Sequence, residues 1–289
     1  MIFLSKIRNT IRIAYTTYRS LIVQPRLLLF GGLLIIIYNL VIIPFFARSD
    51  DMMCPYNAME PFIAVCNSGQ LLLFVPALFL ILVSDYPEIN AHTKYIVCRI
   101  GRKKWLFSQI LAVQGFILTY IFALLISCIG MSFSNGTLSL TWSDAILKYL
   151  STVSLGQYDA VFEYLSPNIY NHFSFVSALC HTALLLWLYL NLLTSVITVF
   201  RLLGKKILGL LIAYSLIICG VVLCAIRSEM MWLMPMAHTV TWLHYQPAFR
   251  EPIVPLWASY LYFFAGIAIC LLAAFLVLKR AELCNQDTL

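Results

Sequence analysis

The chain has 289 residues, of which 62% are hydrophobic and 11% charged, and its mean hydropathy is +0.90. A water-soluble domain averages about 45–50% apolar and about 25% charged residues, so no soluble fold hides this much apolar surface and the expected solvent is lipid. The formal net charge of +7 is modest; its meaning lies in where the charges sit, and it gives no ground for a nucleic-acid partner.

In chain order, residues 3–23 predict an amphipathic helix. Leu4, Ile7, Ile11, Tyr15, Tyr18 and Ile22 recur at steps of three or four, and Arg8, Arg12 and Arg19 flank the stripe. Such a helix lies in the inner leaflet with its arginines reaching for phosphates; the plainer reading is a basic tail that only fixes orientation. Its apolar positions are interrupted and no small-residue cleavage site follows, so no cleavable leader is expected.

A bilayer core about 30 Å thick needs about 20 apolar residues in helix. Six stretches qualify, at 27–47, 68–84, 106–130, 176–200, 207–226 and 257–278, and none contains Asp, Glu, Lys or Arg. Pro44 and Pro76 fall inside the first two and predict kinks. Basic residues cluster in the N-terminus (Lys6 to Arg26), the second linker (Lys94, Arg99, Arg102, Lys103, Lys104), the fourth linker (Arg201, Lys205, Lys206) and the C-terminus (Lys279, Arg280). The intervening loops hold most of the acids, among them Asp50, Asp51, Glu60, Asp144, Glu229 and Glu251. The positive-inside rule then places both termini in the cytoplasm, as six spans also require. The fold class expected is an all-α membrane protein, one transmembrane domain over 1–289.

The linker from Asp85 to Trp105 reads DYPEINAHTKYIVCRIGRKKW. Pro87 suits a first helical turn and Glu88 the positive end of a helix, so residues 87–99 predict a short cytoplasmic helix. Gly101 permits a sharp change of direction before the third span. The helix is either a handle for a cytoplasmic partner or a charged turn that sets orientation. The outer loop from Met131 to Ser174 carries one helical stripe (Trp142, Ala145, Ile146, Tyr149, Leu150, Val153) and a shorter one (Val161, Tyr164, Leu165), read as surface helices that act as a lid or simply pack. Residues 228–255 begin apolar, with Met230, Met231, Met234 and Met236 around Pro235. That run is too short to cross, which predicts a re-entrant element.

Several chemistries are missing. There is no GxxxxGK[ST], HExxH or GxSxG, so neither an ATP site nor a familiar hydrolase is expected and the chain is read as a non-enzyme. His181 is the lone titratable residue within a span, more simply an interior hydrogen-bonding group than a proton relay. His238, His244 and Glu251 match no ligand spacing, so no metal is expected. The nine cysteines show no CxxC pair, and Cys54 and Cys66, in one outer loop, leave a disulfide open. Asn39, Gln70, Gln114, Asn191, Thr194, Ser195 and Thr198 lie within the spans, where they either line a polar path or bond helix to helix.

This layout resembles the permease subunit of type-2 ABC transporters, in bacteria mostly exporters. The likeness in residues is confined to SDYPEINAHTKYIVCRIGRKKWLFSQ, Ser84 to Gln109, where an acidic residue and an aromatic end the second span. An R-x-G-R-x-x-W-x-x-x-Q pattern follows at Arg99, Gly101, Arg102, Trp105 and Gln109. The resemblance implies that 3–23 is an elbow helix and 87–99 a coupling helix seated on a separate ABC ATPase through Glu88, His92, Lys94, Tyr95, Arg99 and Arg102. It implies a second permease chain, identical or related, in a bacterial cytoplasmic membrane. ATP and Mg would belong to the partner, with no cofactor in this chain. A translocation path would involve Asn39, Gln114, Asn191, Thr194 and Thr198, and an outer gate Met231, Met234 and Met236. The long third-to-fourth loop departs from the family pattern and puts the gate assignment in doubt. The rival function is a receptor, scaffold or assembly protein that uses the same contact helix.

Overall fold

The computed structural model describes residues 2–69, 71–89, 91–134, 136–152, 165–245 and 252–279. It is about 81% helical. The expectations that fall on Gln70, Val153, Val161, Tyr164, Arg250, Glu251 and Arg280 lie outside the described residues.

Helix α1 (Ile2–Ile22) packs along the third long helix, and Pro25 starts α2 (Pro25–Met52). The kink expected at Pro44 takes the form of a π-helical turn over Tyr38–Ile42, just ahead of it. Proline lacks an N–H and its ring crowds the carbonyl four residues back, and a wider turn absorbs that conflict.

Within the second apolar stretch, expected as a span at 68–84, lies α4 (Leu71–Leu82); a separate helix, α3 (Glu60–Asn67), precedes it, and the two are bent by 84°. The bend falls at Ser68, whose backbone is extended (φ −77°, ψ 127°) and whose hydroxyl accepts the Leu71 N–H at 3.3 Å. Serine here is a helix start signal at the head of the apolar run. Pro76 lies within α4 and not at the bend.

Helix α5 (Ala91–Ile100) is shorter than the expected 87–99 at its N-terminus, because residues 86–89 are irregular around a cis Tyr86–Pro87 bond. Pro87 therefore does not open the helix. One residue, Gly101, joins α5 to α6 (Arg102–Ser132). Its φ of 87° and ψ of 150° belong to a region essentially reserved for glycine.

At the far end of the bundle, β1 (Tyr56–Asn57) and β2 (Gly136–Thr137) pair in parallel. A Cβ on Gly136 would lie 2.8 Å from the Ser132 carbonyl oxygen, so only glycine fits. Two short helices follow, α7 (Asp144–Thr152) and α8 (Pro167–His172). Then come α9 (Phe175–Leu202) and α10 (Lys206–Ala225). The segment 229–245 consists of α11 (Pro235–Thr239) between 3₁₀ turns at Glu229–Leu233 and Thr241–His244, and α12 (Leu256–Leu278) closes the fold.

Helix α9 is the centre of the bundle and packs against α10 and α12. Among the described residues five helices, α2, α6, α9, α10 and α12, are long and apolar enough to cross a membrane, and six crossings result if the bent α3–α4 pair counts as one. Outward-facing apolar side chains along them, such as Ile126, Ile218 and Leu272, suit a lipid solvent. This architecture is compatible with a multi-pass membrane protein.

Candidate functional site

The basic end of the bundle carries the candidate contact surface. Helix α5 has two faces. Ile96, Val97 and Ile100 pack onto a buried cluster of Ile89, Trp105, Leu106, Leu202, Ala274 and Leu278. Tyr95, Cys98 and Arg99 point away from it, and Tyr95 is 74% exposed. The apolar face seats α5 on the ends of α6, α9 and α12 together, while the opposite face presents an aromatic ring and a guanidinium. Glu88 is also exposed, in the irregular lead-in, where its carbonyl accepts the Thr93 hydroxyl at 3.1 Å. His92 and Lys94 lie on the same helix, with side chains outside the described part of the structure.

Arg102 is exposed but has partners within the bundle. Its guanidinium donates to the carbonyls of Leu278 and Lys279, each at 3.0 Å, and so caps the C-terminus of α12. A cation suits that negative helix end, so Arg102 has acceptors within the chain while remaining exposed. Two other members of the sequence pattern, Trp105 and Gln109, serve the scaffold. Trp105 is buried in the cluster beneath α5, and Gln109 donates to Thr17 of α1 at 3.2 Å. Tyr18 adds a 2.8 Å hydrogen bond to Thr119 and lies over Gly115.

A charge cluster stands beside α5. Asp85 accepts from Lys206 at 2.5 Å and pairs with Arg26 at 2.6 Å, while Arg26 also donates to Ser84. These residues belong to the starts of α2 and α10 and to the end of α4. Hydrogen bonding from Lys206, and then from Arg26, holds the Asp85 carboxyl below the ordinary aspartate value. Tyr86, buried next to it, meets the Thr198 side chain on α9.

Among the expected path residues, Gln114 and Asn191 are brought together by a hydrogen bond between α6 and α9. Thr194 and Thr198 are buried and donate to carbonyls of their own helix. Asn39 is exposed on the π-helical turn, with its amide turned back to the Ile35 carbonyl at 2.8 Å. Within the single chain Gln114 and Asn191 link two helices, the two threonines and Asn39 bond within their own helices, and the buried Gln114 Oε1 has no hydrogen-bond partner. The expected gate methionines divide. Met231 and Met236 are buried and Met234 is half-buried, with Met236 pressed against Gly220 of α10.

The residue that sequence reasoning missed is Asn67, at the α3–α4 bend. Fully buried, it donates to the Ile63 carbonyl and to Thr182. Its side-chain oxygen accepts from the Thr241 N–H at 2.8 Å and the Thr241 hydroxyl at 2.7 Å, and its backbone carbonyl accepts from Trp242. All the amide's hydrogen-bonding capacity is thus used to tie α3, α9 and the 229–245 segment together. Glu60 was likewise placed only by charge. It is fully buried, and its carboxylate accepts from the Ser143 N–H at 2.8 Å, the Ser143 hydroxyl at 2.9 Å and the Asn57 N–H at 3.3 Å. Those bonds fasten the loop between α6 and α7 onto α3. Cys54 and Cys66 are both free thiols, and Lys148 donates to Cys54 at 2.8 Å. No group of three or more metal-ligating side chains occurs among the described residues.

Compared with protein-family models, curated proteins and solved structures, the chain finds no match.

Proposed function

We propose that this chain is the transmembrane permease subunit of an ATP-driven ABC transporter that exports a hydrophobic or amphipathic compound. The basic end faces the cytoplasm, by the positive-inside rule, and α1 is the elbow helix of the inner leaflet. A separate ATPase subunit holds ATP and Mg, and a second permease chain completes the path. The observation that carries the reading is the two-faced helix α5. Its Tyr95–Arg99 face is turned out for a partner, and its Ile96–Val97–Ile100 face is set on the ends of α6, α9 and α12. A load on Tyr95 and Arg99 therefore reaches three long helices through Trp105, Leu202 and Leu278, which is what coupling to an ATPase requires. Gly101 acts as the joint that sets the angle of α5 to α6.

A second reading, a receptor or scaffold that uses the same contact helix, is favoured by one observation: Gln114 and Asn191 bond helix to helix, and Thr194 and Thr198 donate to carbonyls of their own helix.

The test is purification of the tagged chain from native membranes in mild detergent, with identification of bound proteins and assay of ATP hydrolysis. The permease reading expects a P-loop ATPase whose binding falls by ~30-fold in Tyr95→Ala, the effect of losing an aromatic hot spot worth about 2 kcal/mol. Recovery of the chain alone, or with a partner that lacks a nucleotide site, sinks it in favour of the scaffold.

A further inference from the structure

Two histidines of the 229–245 segment converge on one hydroxyl of α12. Ser259 Oγ, fully buried, lies 2.8 Å from His238 Nδ1 and 2.7 Å from His244 Nε2. The other nitrogen of each ring meets a backbone carbonyl: His238 Nε2 meets Trp232 O at 2.8 Å, and His244 Nδ1 meets Val240 O at 3.1 Å. A carbonyl only accepts, so each ring donates there. A neutral imidazole has one N–H, and it is used in that bond. Both nitrogens aimed at Ser259 are then lone pairs, and the serine has a single hydrogen to give. Four contacts share three hydrogens, and His238, His244 and Ser259 are all buried. One nitrogen–oxygen pair faces lone pair to lone pair.

We infer that the His238–Ser259–His244 array is a binding site for one proton, held on one imidazole and shared with the other through the serine hydroxyl. With that proton in place, one ring donates to Ser259, Ser259 donates to the other ring, and both carbonyls keep their donors. No covalent bond other than the new N–H changes, and the array gains one positive charge. Aromatic rings stand ready to receive it: Tyr262 stacks on His238 at 4.2 Å, and Trp232 lies 5.5 Å from His238 and 5.2 Å from His244.

Two effects oppose the charge. Burial pushes His244 down to about 4 and His238 below the ordinary histidine value, and His181, hydrogen-bonded to Tyr260, repels a cation on His244. Among the described residues no carboxylate acts on either ring, and Glu229, on the same turn as Trp232, is exposed. Hydrogen-bond closure and the aromatic faces outweigh burial, so the hold of the 229–245 segment on α12 is strongest with the proton bound. The inference is independent of the permease reading.

The test uses the full chain in lipid bilayers with nitrogen-15 in its histidine rings. Solid-state NMR reads the charge of each ring from about pH 8 down to about pH 4.5, and His238→Gln and His244→Gln assign the signals. The expected result is one imidazolium from the pair, formed at or above about pH 6, close to the value of an exposed histidine. Its midpoint falls by about one pH unit or more in Ser259→Ala and holds in Ser259→Thr, because only the hydroxyl links the rings. Wild-type rings that both stay neutral to about pH 5 overturn the proposal without any variant. A Ser259→Ala protein that titrates at the wild-type pH overturns it as well.

Discussion

Replacing Asn67 by Ala tests whether the bend between α3 and α4 is held by one buried amide. The truncation removes bonds to the Ile63 carbonyl, Thr182, the Thr241 N–H and the Thr241 hydroxyl. The two threonine hydroxyls turn to carbonyls of their own segments. Polar links of this kind in membrane proteins average about 0.6 kcal/mol each. The Thr241 N–H is fixed by the backbone and buried, and an orphaned donor costs about 1–3 kcal/mol. Together the loss is about 2–4 kcal/mol, or a fall in Tm of roughly 5–15 °C for a chain of this size. Reversible unfolding in mixed micelles measures the first quantity and a thermal melt the second. A double-mutant cycle with Thr241→Val isolates the hydroxyl bond, with a coupling of about 0.6–1.7 kcal/mol expected. A loss below about 0.5 kcal/mol in Asn67→Ala, or zero coupling in the cycle, would refute the reasoning, since the bend would then be set by packing alone.

Asp85 gives a pH-dependent counterpart. Its folded carboxyl is held below the ordinary value of 3.8 by Lys206 and then Arg26, so its contribution is complete above that value and is lost as pH falls through the lower folded one. The side chain is 49% exposed, which limits the effect to about 1 kcal/mol or less at neutral pH and makes it weaken in salt. Asp85→Asn is expected to lose this increment at pH 7 and to converge with the wild type only as pH falls below the ordinary value of 3.8 and through the lower folded one in a melt series; parallel curves throughout would count against the cluster. Gly220→Ala places a Cβ 2.7 Å from Met236 Cβ and is expected to cost about 1–3 kcal/mol by forcing the 229–245 segment off α10. Gly130→Ala, with nothing within 4 Å, is expected to be neutral or to gain up to about 1 kcal/mol of helix propensity. Equal melts for the two would remove the close-approach argument.

Composition and the length of the apolar runs located most of the long helices, which are compatible with a membrane protein. Transfer of apolar side chains and the need to close every backbone hydrogen bond act residue by residue, which is why the ends of α9, α10 and α12 lie within about two residues of the apolar runs. Gly101 was also legible, since a charged apolar turn between two helices needs a residue free to take positive φ. The helix ahead of the second stretch, α3, was not. Glu60 made that segment read as outer loop, and only the contacts of Asn67 with Thr182 and Thr241, far along the chain, show what holds it in the bundle. The acceptors of Arg102, the last carbonyls of α12, could not be read from the sequence because they are distant along the chain. Tertiary structure alone decided that Gln114 and Asn191 face one another, that Glu60 holds the loop at Ser143, and that His238 and His244 meet on Ser259. The physical reason is the same in each case: a polar side chain in an apolar medium takes whichever partner the packing brings within reach, and packing is a property of the assembled bundle.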